Sequence, residues 1–263
     1  MAAIVSVVPA GSLFDLSGRV ALVTGASRGI GSAIAEILAE HGAQVVLSSR
    51  KQADLDTEAE RINALYPEKA VAIAAHAGKQ DDLERLVQQA MERFSRIDIL
   101  INNAATNPYF GPVLGAELSA WDKTFEVNLR GIFVLTQQVY RASMEAHGGA
   151  IVNIASIGGI RPGLGLGVYN VSKAAVIMLT RQLAREIGGQ VRVNAVAPGL
   201  VKTRFAEALW GNQEILDRVL AQNPMGRIGV PSEVAAAVLF LASDAASYVN
   251  GEVLVVDGGG GEV

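Results

Sequence analysis

Three residues near the middle of the chain have the types and spacing to move a proton. Ser156 lies thirteen residues before Tyr169, and Lys173 lies four after it, in Tyr169-Asn170-Val171-Ser172-Lys173. Residues four apart on a helix share a face, so a Tyr-x3-Lys pair sets a phenol beside an ammonium. Reducing a ketone requires a hydride at carbon and a proton at oxygen, and a tyrosine can supply the proton. Its ordinary pKa is about 10, so work near neutrality needs a downward shift of ~2–3 units, or ~3–4 kcal/mol. One cation at ~4 Å in an effective dielectric of ~20 supplies ~4 kcal/mol. The spacing predicts Tyr169 as acid/base with a lowered pKa and Lys173 as the cation that lowers it. Ser156 is the hydroxyl that positions a substrate oxygen. Each residue alone also has a plain reading, as a surface aromatic on a helix or a strand-end turn serine.

A hydride needs a carrier, and the glycine-rich stretch Thr24-Gly25-Ala26-Ser27-Arg28-Gly29-Ile30-Gly31 is a candidate to hold one. Its glycines are spaced G-x3-G-x-G. Positions without side chains let the backbone turn sharply and let a pyrophosphate reach a helix N-terminus, where free N–H groups and the positive dipole end receive it. The second strand should end near Ser48-Ser49-Arg50-Lys51. An acid at that place would bond the ribose 2′-hydroxyl of NAD, but none occurs until Asp54. A guanidinium suits a 2′-phosphate, so Arg50, with Arg28 nearby, predicts NADP(H) in preference to NAD(H).

These residues must be carried by a scaffold, and the hydrophobic pattern supplies one. Apolar, β-branched runs occur at Arg19–Thr24, Gln44–Ser48, Ala70–Ala74, Ile97–Ile101, Ala150–Ile154, Val191–Val196 and Glu252–Val256. Stretches of helical period lie between them, near Gly29–His41, Gln52–Leu65, Gln80–Phe94, Gly131–His147, Val168–Ile187 and Pro231–Leu241. Strands that run apolar without alternation are buried on both faces. The pattern predicts a doubly wound α/β fold of Rossmann type, a parallel seven-stranded sheet with helices on both faces. No linker divides the chain, so a single domain is expected over residues 1–263, with an extension over 1–15. Two segments break the rhythm, Thr106–Ser119 and Lys202–Gly229. Ligands in such folds sit beyond the carboxyl ends of the strands, so the second segment, 202–229, reads as a substrate lid.

Composition removes several alternatives. The net charge is −4, from 22 basic and 26 acidic residues, and no basic run is present, so neither nucleic acid nor an anionic membrane is an expected partner. There is no cysteine, which excludes disulfides and thiolate chemistry. His41, His76 and His147 are far apart, so no metal site is expected. The stretch before Arg19 lacks the basic start of a secretory signal, and Pro9 and Gly11 interrupt it. A cytoplasmic location is therefore expected.

With these residues in hand, the chain resembles the short-chain dehydrogenase/reductase superfamily from about Leu16 to Gly259. The cofactor turn matches Thr24–Gly31. An Asn-Asn-Ala-Gly element matches Asn102-Asn103-Ala104, with Ala105 at its fourth place. The resemblance implies a catalytic tetrad of Asn128, Ser156, Tyr169 and Lys173, in which Lys173 also binds the nicotinamide ribose and Asn128 holds a relaying water. It further implies cofactor contacts from Gly25, Ser27, Arg28, Gly29, Ile30, Gly31, Ser49, Arg50, Asn103, Ala104, Tyr169, Lys173, Pro198, Gly199, Val201 and Thr203. An Asp that many members carry after the third strand is replaced by His76-Ala77. Within the family, Asn107–Gly111, Ser-Ser-Arg-Lys and Tyr-Asn-Val-Ser-Lys are similar to NADPH-dependent carbonyl reductases of the member 4 type. The chain ends Gly-Glu-Val rather than in a Ser-Lys-Leu-like signal, so a peroxisomal address is not expected.

Candidate pocket walls are Tyr109, Phe110, Ile157, Leu164, Phe205, Leu209 and Trp210, mostly apolar, which favours a small apolar ketone, aldehyde or secondary alcohol. Phe205, Leu209 and Trp210 could equally pack a short lid helix. The apolar faces of Gly131–His147 and Val168–Ile187 imply, through the family, a homotetramer built as a dimer of dimers. The rival activities are a dehydratase or epimerase using bound nicotinamide, and a non-catalytic NADP-binding sensor.

Overall fold

The seven apolar runs become the seven strands of one parallel sheet. In the computed structural model, which describes residues 9–163 and 165–260, they are β1 (Val20–Thr24), β2 (Gln44–Ser49), β3 (Ala70–Ala74), β4 (Ile99–Asn102), β5 (Gly149–Ile154), β6 (Val191–Pro198) and β7 (Val253–Val256). Their order is β3-β2-β1-β4-β5-β6-β7. The helices are α1 (Gly29–Glu40), α2 (Gln52–Leu65), α3 (Gln80–Phe94), α4 (Leu118–Phe125), α5 (Gly131–Val139), α6 (Glu145–His147), α7 (Gly167–Ile187), α8 (Glu207–Trp210), α9 (Gln213–Ala221) and α10 (Pro231–Ala242). Among the described residues no helix is long and apolar enough to cross a membrane.

The sheet is buried on both sides because successive strand residues point to opposite faces. Ala21 and Val23 of β1 enter a core shared with α1, α2 and α10, while Val20 and Leu22 enter one shared with α3, α5 and α7. That is why the central strands read as unbroken apolar runs: every residue of β1 and β4 is buried.

Strand order reverses between β1 and β4, so the crossovers on the two sides lead away from each other and a crevice opens at the carboxyl ends. The glycine turn leaves β1 there, and Asn103 and Ala104 leave β4 beside it.

Several boundaries differ from the sequence reading for identifiable reasons. The fourth strand starts at Ile99, not Ile97: Asp98 N–H still donates to the Val20 carbonyl at 2.8 Å, but the Val20 N–H is taken by the Asp98 carboxylate at 2.8 Å rather than by a backbone carbonyl. The helix expected from Gly131 starts earlier. Residues 118–147 form one helical run in which π turns at Glu126–Arg130 and Tyr140–Met144 join α4, α5 and α6. Each π turn shifts the apolar phase, so a search at a period of 3.6 finds only part of the run. The 202–229 segment is not structureless, since it holds α8 and α9. Its two ends are pinned together, with Lys202 N–H donating to the Gly229 carbonyl at 2.9 Å and Gly229 N–H to the Leu200 carbonyl at 2.9 Å.

Candidate active site

The glycine turn has the shape of a cradle. Gly25 and Gly29 have φ of +66° and +61°, where side chains are strained. A Cβ on Gly31 would lie 2.3 Å from the Gly25 carbonyl oxygen, so α1 can approach the turn only without a side chain there. The residue before α1, Arg28, makes no side-chain cap, and no acid lies in the first turn. The leading amides of this helix thus have no side-chain acceptor and suit an anionic group. The residues present fit a dinucleotide.

The turn is braced by residues that sequence reasoning did not single out as a pair. Thr24 Oγ1 donates to the Ile101 carbonyl at 3.2 Å and accepts the N–H groups of Asn103 and Ala104 at 3.0 and 3.1 Å. Asn103 Nδ2 donates to the carbonyls of Thr24 and Gly25 at 2.8 and 3.2 Å. Asn103 therefore ties β4 to the turn through its amide hydrogens, while Ala104 follows it along the crevice wall.

The other expected cofactor residues converge on the same edge. Thr203 lies against the turn, its Cγ2 3.5 Å from where a Cβ of Gly29 would be. Pro198 ends β6, Gly199 N–H donates to the Val256 carbonyl at 3.0 Å, and Val201 is buried. Ser27, Ile30 and Ser49 are half-buried, whereas Arg28 and Arg50 are exposed. Among the described residues neither arginine forms a salt bridge. At the His76 place, Nδ1 accepts the Gly78 N–H at 3.0 Å. Burial and the Lys123 cation hold this imidazole below its usual range.

The proton-transfer residues meet beyond β5. Ser156 caps the short 3-10 turn Ile157–Gly159, and its Oγ accepts the Gly158 N–H at 3.1 Å. Tyr169 sits in the first turn of α7, with the Ser156 hydroxyl close enough to favour its ionised form. Lys173 is one turn on and 1% exposed. Its Nζ donates to the Ile154 carbonyl at 2.6 Å and lies 5.6 Å from the centre of the Tyr169 ring. Asn128 lies in the π turn, fully buried. Its amide donates to the Thr106 carbonyl and Ser172 Oγ, both at 3.0 Å, and accepts the Thr106 N–H at 2.8 Å.

The electrostatics differ from the expectation of a lowered tyrosine pKa. Burial pushes the Tyr169 phenol up to about 12, partly opposed by the Ser156 hydrogen bond, and burial brings Lys173 down to about 8. Both shifts favour the neutral form, because both groups have left water. At 5–6 Å and a dielectric of ~20 a cation is worth ~3 kcal/mol to a phenolate, about what is needed to offset such burial. The sequence reading counted the attraction and had no access to the desolvation.

The expected pocket walls are partly gathered. Phe205 packs on Tyr169, ring centres 5.9 Å apart, and Trp210 donates its indole N–H to the Thr203 carbonyl at 2.8 Å. Leu209 shares α8 with Trp210, and Ile157 flanks Ser156. Phe110 rests against Gly165. Tyr109 instead folds back on its own loop, its hydroxyl donating to the Pro112 carbonyl at 3.0 Å. Leu164 lies outside the described residues. Half-buried Thr106 and buried Ser172, the partners of Asn128, were not found from sequence, since only the tertiary fold brings them together.

The comparisons with known proteins agree with this geometry. Residues 25–260 match the family described as Enoyl-(Acyl carrier protein) reductase. Dehydrogenase/reductase SDR family member 4 of Oryctolagus cuniculus is 42% identical over 247 residues, covering 93% of this chain and 94% of that protein. The crystal structure of a putative gluconate dehydrogenase from Agrobacterium tumefaciens superposes with a TM-score of 0.92 at 32% identity, over 95% of this chain and 99% of that one. A gluconate 5-dehydrogenase from Burkholderia cenocepacia, solved with NADP and tartrate, gives 0.91 at 33% identity, over 95% and 98%. With family model, relatives and fold in agreement over nearly its whole length, this chain belongs to the short-chain dehydrogenase/reductase family of oxidoreductases.

Proposed function

We propose that this protein transfers a hydride between NADP(H) and a small, mostly apolar ketone, aldehyde or secondary alcohol, in the cytoplasm, with Tyr169 as the acid/base. The observation that carries this reading is one chain of contacts. Gly29 of the phosphate-type turn meets Thr203, Thr203 caps the turn that bears Phe205, and Phe205 packs on Tyr169. The cradle and the phenol thus border one space.

The coenzyme supplies or accepts the hydride. The protein's own groups do the rest. Ser156 Oγ, with one lone pair engaged by Gly158 N–H, directs its proton toward the phenol or the substrate oxygen. Tyr169 is neutral at physiological pH and gives its proton to the reduced oxygen. Lys173, charged at neutrality, stabilises the phenolate left behind and reaches toward the coenzyme ribose. Thr203, Pro198, Gly199 and Val201 would hold the nicotinamide end, and residues 202–229 would cover the substrate.

Arg28 and Arg50, exposed and without salt bridges among the described residues, favour the 2′-phosphate of NADP(H), and a relative of this fold was solved with NADP. The test is loss of NADPH absorbance over a panel of ketones and aldehydes. The panel includes keto-gluconate, because structural relatives are named gluconate dehydrogenases. NADPH should outperform NADH, and Arg50→Glu should raise the KM for NADPH roughly tenfold or more by removing a charge-assisted contact. Equal use of NADH would defeat the NADP assignment. Tight NADPH binding without turnover would favour the sensor reading, and product formation without net redox change the epimerase.

The same reading includes a homotetramer. An open recess of about 740 Å³ lies between the 122–133 stretch and α7, lined by the apolar Phe125, Leu129, Phe133, Ala175 and Leu179 together with the charged Asp122, Glu126 and Arg130. Phe133 and Met178 are 46% and 61% exposed beside it. Apolar faces of this kind are suited to pairing with a second copy. Light scattering should give four times the chain mass, and a monomer at micromolar concentration would rule the assembly out.

A further inference from the structure

Helix α7 carries two buried hydroxyls with the same wiring. Thr180 Oγ1 donates to the Val176 carbonyl at 2.8 Å and accepts from Asn153 Nδ2 at 2.9 Å. Ser172 Oγ donates to the Tyr169 carbonyl at 2.7 Å and accepts from Asn128 Nδ2 at 3.0 Å. Both residues are fully buried. They differ in what they are joined to. Thr180 lies two turns farther along, ~12 Å by helix rise, where Asn153 binds onward to Asn102 in the middle of the sheet. Ser172 is wired into the site itself.

The wiring at Ser172 leaves little freedom. Both N–H groups of the Asn128 amide are engaged, one by Thr106 and one by Ser172, while its oxygen accepts from Thr106. The loop after β4, the π turn and the first turn of α7 are therefore joined through one amide and one hydroxyl. The bond that closes this network falls on the carbonyl of Tyr169, the residue whose side chain must meet Ser156 and face Lys173.

We propose that Ser172 is a positioning residue of the reaction: by linking the Asn128 amide to the Tyr169 carbonyl it fixes the turn of α7 that aims the phenol. The proposal rests on the reading of Tyr169 as acid/base. Without the Ser172 hydroxyl one Asn128 N–H is left buried without its partner, and Asn128 must turn to find another. Any such turn loosens its double clamp on Thr106 and frees the first turn of α7 to shift. Catalytic geometry is sensitive to displacements of about 1 Å, which can cost ~10²-fold.

Thr180 provides an internal control, because Thr180→Val removes the same two hydrogen bonds from the same helix away from the site. Ser172→Ala and Thr180→Val should lower the Tm of the full chain by similar amounts. Ser172→Ala alone should lower kcat, by roughly tenfold or more, with the ketone KM changed by less than about threefold and the pH profile of kcat displaced. Thr180→Val should keep kcat within about twofold. A Ser172→Ala protein that loses stability like Thr180→Val but keeps the wild-type kcat and pH profile overturns the proposal. Should Ser172→Ala fail to fold, Ser172→Cys, of similar shape but with a weak donor and acceptor, is read in the same way. Tyr169→Phe separates the two levels. If Tyr169→Phe is inactive and Ser172→Ala is normal, this inference alone falls; if Tyr169→Phe turns over normally, the parent reading falls with it.

Discussion

Tyr169→Phe is expected to lower kcat for ketone reduction by ~10²–10⁴-fold, the range typical of a lost general acid. The substitution removes one oxygen and little else. The ring still packs on Phe205 and still lies beneath Lys173 Nζ. The Ser156 hydroxyl retains its bond from Gly158 N–H. NADPH affinity and Tm should therefore stay near wild type, and the loss should fall on kcat. Such a split marks an interaction made in the transition state rather than in the ground state. Stopped-flow measurement of NADPH oxidation together with a binding titration decides it. A Phe variant with more than a tenth of wild-type kcat would mean that the proton comes from elsewhere, and Ser156 would be the next candidate.

Lys173→Met should produce a protein that is more stable and nearly inactive. The ammonium is 1% exposed and among the described residues makes one hydrogen bond, to the Ile154 carbonyl. Burial brings its pKa to about 8 from an unfolded value near 10.5. A base whose folded pKa is depressed holds fewer protons folded than unfolded between those two values. Stability therefore rises as pH goes from about 8 toward 10.5, and below 8 the whole penalty is present. That penalty is ~3 kcal/mol at 1.36 kcal/mol per pH unit. Methionine fills a similar volume without a charge, so the gain at pH 7 should be ~1–3 kcal/mol once the lost hydrogen bond is counted. In a chain of this length that is a Tm increase of several °C. Turnover should fall ~10²-fold or more, because the phenolate loses its neighbouring cation. In the wild type, kcat/KM for NADPH, which reports groups of the free protein, should decline as pH rises through about 8. A Met variant that melts below wild type at pH 7 would show that Lys173 stabilises the fold and would contradict this balance.

The two expectations also show what a sequence carries and what it withholds. The strands were legible because a parallel sheet under two layers of helices must be apolar on both faces, and Val20 through Val23 are so by inspection. The glycine turn was legible because Gly25 and Gly29 are required by a left-handed backbone and Gly31 by close approach to the Gly25 carbonyl. Tyr169, Lys173 and Ser156 were legible as a set because their spacing matches a helix face and a strand end. The direction of the Tyr169 pKa shift was not legible, since desolvation depends on what packs around a side chain and not on its neighbours in sequence. Thr24, Thr106 and Ser172 were missed for a related reason. Thr24 is bonded to Ile101 and Asn103 and Ser172 to Asn128, more than forty positions away, while Thr106 meets Asn128 through its backbone twenty-two positions away, and none of these contacts carries a periodicity. The turn of Tyr109 back onto Pro112 belongs to the same class, being decided by a local carbonyl rather than by apolar character.

The π turn at Glu126–Arg130 has a consequence for how this stretch of chain can change over generations. A π turn is an α-helix with one residue too many, so it behaves as a frozen single-residue insertion. Removing any one residue of it would restore ordinary winding and swing everything on one side by ~100° about the axis. Asn128 would then be carried off the Thr106 loop, or the Phe133 face would rotate away from the outside. Substitutions can drift at the exposed positions of residues 118–147, though not at Asn128 or the buried ones, but a gain or loss of one amino acid there is expected to be purged, and alignments of this region should be free of gaps even where identities are low.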